Sequence, residues 1–151
     1  MKLAAVPGRI TAIILAAMLL AEMIAVFPMY AQELGKTKSK AATQHEIIML
    51  LIKKKEYEKA VAEANKIFDM KWPEDHEPLL LRELLIVSEQ LRQQGQAPLS
   101  LQLVDRNSKC FKTTASRIAI YKEMGYLYKC MNQEDKEMEY FRKAQELENK
   151  D

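Results

Sequence analysis

The sequence predicts an all-α chain. Three antiparallel helix hairpins stack as a short α-solenoid, behind an apolar N-terminal leader helix. Two observations carry that prediction. Apolar residues recur at three- and four-residue spacing from Ile47 to Leu147, and no stretch alternates with period two. The stripes also come in pairs that superpose. Ile48, Ser88 and Gly125 take the same place in the first helix of each pair, at separations of 40 and 37 residues (48 to 88, 88 to 125). Ala60, Ser100 and Glu137 do the same in the second helices. A repeat of that length built from paired helices indicates a solenoid, for which three units are about the minimum.

The leader comes first. Lys2 and Arg9 form a short basic region, Ile10 to Phe27 is apolar except for Glu22, and "PMYAQE" offers a cut between Ala31 and Gln32. Basic, apolar, then small is the layout of a secretory signal peptide, although Met29 is bulky and Glu22 interrupts the run. The rival reading is an uncleaved membrane anchor. Eighteen residues just span a bilayer, and Glu22 there costs about 2.5–3.5 kcal/mol. Lysines flank both ends, so orientation is not fixed. Both readings place the following residues outside the cytoplasm, in the periplasm, exported or tethered to the inner membrane. No cysteine lies near the cut, which excludes a lipid-modified cysteine. The expected organisation is residues 1–31 as signal peptide or anchor, 32–42 as polar linker, and 43–151 as helical repeat domain.

In the first hairpin Thr43 and Glu46 form an expected capping box. Ile47, Ile48, Leu51 and Ile52 make one stripe, and Ala60, Val61, Ala64, Ile67 and Phe68 the next, across the break "KKKEYE". "WPEDHEP" is a turn. The second hairpin opens near Pro78, with Leu81, Leu84, Leu85, Val87, Ser88 and Leu91 inward. Gly95 suits a left-handed cap and Pro98 the first turn of the following helix, which carries Leu101, Leu103 and Val104. The hydroxyls of "KTTAS" cap the third hairpin. Its stripes are Ile118, Tyr121, Met124, Gly125, Tyr128 and Met131, then Met138, Phe141, Ala144 and Leu147, with a turn over Asn132 to Asp135.

Composition excludes several functions. Lys+Arg 23 against Asp+Glu 21 is too balanced for nucleic-acid binding. His45 and His76 stand in no nucleophile arrangement, and the glycines make no phosphate-cradling loop. Glu74, Asp75, His76 and Glu77 read as a solvated loop before a metal site. Cys110 and Cys130 fall too far apart along their helices for a disulfide and are expected as free thiols, Cys130 being the one with lysines near it. No enzyme activity, cofactor or metal is expected.

The third hairpin, with Tyr121, Met124, Gly125, Tyr128, Phe141 and Ala144, resembles the tetratricopeptide repeat family, as does Ala60 within "KEYEKAVAEA". Glu137 replaces the family's small residue, and Ile48 its glycine. The repeats exceed the family's usual length, so the turns between hairpins should be extended. Glycine within a helix costs about 1 kcal/mol, which close packing at Gly125 must offset. Phe141 would plug that crossing, and Phe141→Ala is expected to cost roughly 3–5 kcal/mol, the range for emptying a buried aromatic site. The charged outer face of the last helix suits a terminal repeat.

In this family the first helices line a concave groove that holds a peptide. Carried over, the groove is His45, Met49, Ile52 and Lys53; Arg82, Leu85, Glu89 and Arg92; and Lys122, Tyr126, Lys129 and Cys130. Five cations against Glu89 imply an acidic segment or a C-terminal carboxylate as ligand. Tyr126 would be the aromatic anchor. Only Lys122 matches the positions of the chaperone-clamping members. The implied function is a non-catalytic protein-interaction scaffold of the bacterial envelope. The alternative is a structural or assembly subunit of a larger envelope complex, anchored by residues 10–27.

Overall fold

The computed structural model describes residues 31–150. The leader expected over residues 1–31 lies outside them but for its last residue. The chain divides into Met1–Lys38 and Ser39–Asp151. Residues 31–38 of the first unit are helical. In the second unit α1 covers 39–53. It is followed by α2 (Tyr57–Phe68), α3 (Glu77–Gln93), α4 (Ala97–Asn107), α5 (Thr114–Cys130) and α6 (Glu134–Glu148). Short 3₁₀ turns at Glu74–His76 and Ser108–Cys110 lengthen the two connections between pairs. The described residues contain no strand, and none of their helices is long and apolar enough to cross a membrane.

Helix entry is corrected in one place. Residues 32–42, expected as a linker, have helical backbone. The Thr43 hydroxyl donates to the Ser39 carbonyl one turn back, so it caps nothing. Glycine-poor "KTKSKAATQHE" contains no residue that stops a helix, and its polarity reflects exposure instead. The Thr113 cap is as expected: its side chain accepts from the Ser116 N–H at 3.3 Å.

The three hairpin turns share one geometry. Lys55, Gly95 and Asn132 have φ of 62°, 74° and 55°, at the same separations of 40 and 37 as the helix positions. Each donates its N–H three residues back, to Ile52, Arg92 and Lys129. The next residue in each turn, Glu56, Gln96 or Gln133, donates five residues back, to Leu51, Leu91 or Tyr128. This is the Schellman closure, in which a left-handed residue lets the final carbonyls of a helix find donors.

A single run of buried side chains joins the pairs. Ile48, Ala60, Ala64, Ile67, Leu84, Val87, Leu91, Leu103, Val104, Ile120 and Leu127 are all nearly inaccessible. Leu80 is buried where the sequence placed Leu81 and Leu85, which are half-exposed. The repeat-equivalent Ser88 and Ser100 are fully buried and touch, Oγ to Oγ at 2.6 Å. Asn107 donates to Asn65 at 2.8 Å, tying α4 to α2.

At the third crossing, a Cβ on Gly125 would stand 2.9 Å from the Phe141 ring. The close approach is real, but the ring is only half-buried, and Met138, expected inward, is 53% exposed. Among the described helices α6 packs chiefly on α5, and no described residue encloses its Met138 side. The cost of Phe141→Ala is therefore revised to about 2 kcal/mol, below the range for a fully enclosed aromatic.

The strongest polar junction lies between α3 and the start of α5. Glu77 accepts from the Lys112 N–H at 2.9 Å, the Thr113 N–H at 3.0 Å and the Thr113 hydroxyl at 2.5 Å. Burial opposes its ionisation. Hydrogen bonds from Ser116, Thr113 and the two backbone N–H groups outweigh that and hold its pKa at about 2, against an ordinary 4.5.

Because the native pKa is depressed, this contribution is full above pH 4.5 and vanishes as pH falls toward 2. Glu77→Gln should cost about 2–3 kcal/mol at neutral pH in urea melts, with the deficit shrinking through that acid window. A constant deficit would mean that the carboxylate charge is not what counts. Gly125→Val should cost about 2–3 kcal/mol, and less once Phe141→Ala has removed the ring it strikes. Additive penalties would deny the contact. Lys55→Gly should raise stability by about 0.5–1 kcal/mol and Gly95→Ala lower it by a similar amount, both read as shifts in melting temperature.

Candidate partner-binding face

The odd-numbered helices are joined side by side through polar contacts. His45 Nδ1 lies 2.7 Å from Glu83 Oε1, linking α1 to α3. Ser88 Oγ donates to Glu123 Oε1 at 2.5 Å, linking α3 to α5. These two contacts put α1 beside α3 and α3 beside α5.

Its parts differ. On α3, Arg82, Leu85 and Glu89 line an open groove of about 530 Å³ together with Pro78, Leu81, Ile86 and Gln90. On α1, Met49 is half-buried against the core and Lys53 is exposed, whereas Ile52 is only 5% exposed and belongs to the core. Ile52 is thereby corrected: it keeps its expected place in the apolar stripe and leaves the groove, whereas Ile47 of the same stripe is exposed. On α5, Lys129 and Cys130 are exposed. Tyr126 is 48% exposed, with its ring edge-on to Phe141 at 5.2 Å. That contact ties it to α6, away from the α3 groove.

The charge balance is also corrected. Arg92 pairs with Glu89 on its own helix. Burial opposes its charge, but hydrogen bonds to Glu89 and Cys130, and the charges of Glu89 and Glu123, keep its pKa raised. Lys122 binds Glu148 at 2.5 Å, which holds its pKa up. Glu83 and Glu123, passed over in the sequence, take part in the contacts between helices. Five cations facing one acid therefore becomes a mixed surface, with Arg82 the cation that lines the apolar groove. Leu81 and Ile86 are groove residues that sequence reasoning missed. The signal was present as an apolar stripe wider than one helix neighbour needs.

Among the described residues no three of His, Cys, Asp and Glu gather as a metal site would require. Glu74 pairs with Lys112 at 3.0 Å, His76 with Asp75 at 2.8 Å, and Glu77 is committed to α5. Cys110 and Cys130 are free and exposed. Burial and the nearby Asp69 push the Cys110 thiol up, away from the reactive thiolate. No family model, curated protein or solved structure matches the chain.

Proposed function

We propose that this chain is a non-catalytic interaction scaffold of the tetratricopeptide kind, working in the bacterial envelope. It is exported or tethered to the inner membrane by residues 10–27, and it holds a peptide or protein segment across α1, α3 and α5. The observation that carries the reading is the open groove along α3, where Leu81, Leu85 and Ile86 lie beside Arg82 and Glu89. Half-exposed leucines next to a charged rim suit an amphipathic segment, with apolar anchors giving affinity and charged ends giving register. An acidic group on the ligand would meet Arg82, whose guanidinium suits a carboxylate in bidentate geometry. The left-handed turns recurring at separations of 40 and 37 support a stack of like hairpins.

A photo-crosslinking residue at Leu85 should capture one discrete cellular protein, whereas the same residue at exposed Lys66 on α2 should not. Arg82→Glu should diminish that capture. Equal capture at both positions, or none at Leu85, would refute the assignment.

A further inference from the structure

Among the described residues, the two terminal helices of the Ser39–Asp151 unit each leave a face uncovered. On α6, Met138 is 53% exposed, and an open groove of about 600 Å³ runs past Glu134, Met138, Phe141, Arg142, Gln145 and Glu148. On the α1 side, Ile47 is 40% and Leu50 55% exposed, flanked by exposed Lys40 and Lys54. Large apolar side chains left open at both ends of a helical stack are unlike singly scattered surface leucines.

These two faces are complementary when laid antiparallel. Aligning Lys54 with Glu134 places Leu50 on Met138 and Ile47 on Phe141, at offsets of four and seven residues in both helices. The same register sets Glu46 against Arg142, Thr43 against Gln145 and Lys40 against Glu148. Each pair joins opposite charges, apolar to apolar, or polar to polar. Offsets of four, seven, eight, eleven and fourteen keep these positions on one side of a helix. Glu148 already binds Lys122, but that pair is exposed and weakly held, so it can be shared. Within the chain α4 packs on the α5 that follows it. An α6 packing on the α1 of another copy would continue the same succession.

We propose that α6 of one copy docks antiparallel on α1 of the next, in the register Lys54–Glu134, Leu50–Met138, Ile47–Phe141. The occupant of each open face is thus a second copy of this chain. The contact is heterologous, so it propagates head to tail and does not close as a dimer.

Cysteine pairs in the full chain test this, in a Cys110→Ser, Cys130→Ser background with mild detergent throughout. The leader is then common to every sample. Leu50→Cys together with Met138→Cys should give a ladder of dimers, trimers and larger species on oxidation. A mixture of the two single variants should stop at the dimer, and neither single variant should crosslink alone. Lys54→Glu should weaken the ladder several-fold, and Glu134→Lys in the same chain should restore it. Dimers formed by either single variant alone, a disulfide closed within one chain, or no ladder from a double variant with normal helical circular dichroism would each overturn the proposal.

Discussion

The backbone that leads into α5 has two N–H groups, on Lys112 and Thr113, that its own helix cannot use. Both are taken by one carboxylate, Glu77, at the start of α3. That bond sets more than a cap, because it fixes where the second helix pair ends relative to where it began. Eleven residues further along each helix, Ser88 meets Glu123, so α3 and α5 run beside each other in one direction and in register. The buried side chains of Leu84, Val87 and Ile120 then lie between two polar pins. An unpaired carboxylate at that depth would be costly. Its pairing specifies the spacing of the stack as well as stabilising it.

Much of the fold was legible before any coordinates. Periodicity located the six described helices of the Ser39–Asp151 unit because each buries one stripe, and Gly95, Pro98 and Thr113 announced their turns by steric and hydrogen-bonding constraints that few residues meet. The misreadings have a common origin. Thr43 looks like a cap only if the preceding residues are not helical, and polar "KTKSKAA" leaves that open. Met138 looks inward only if something lies outside α6. A sequence pattern reports which face is apolar, but not whether a neighbour arrives to cover it.

The binding face shows the same division. Arg82, Leu85 and Glu89 come from the groove positions that the family resemblance implies, and all three line the open pocket along α3. The charge balance was misjudged because salt bridges such as Lys122 with Glu148 join residues 26 apart in sequence, a proximity that exists only after α5 and α6 have packed. The face is consequently less basic than a count of its cations implies. In the proposed scaffold role, selectivity for a partner would rest more on the apolar groove beside Arg82 than on net attraction.

The hairpin turns carry a different lesson. One backbone conformation, with φ near +60°, is met by a lysine in the first turn, a glycine in the second and an asparagine in the third. Glycine adopts it freely, asparagine tolerates it, and lysine is held there by the two bonds that close the turn. What recurs from hairpin to hairpin is therefore a shape of the main chain. Side chains as unlike as those of lysine and asparagine sit on the same bend.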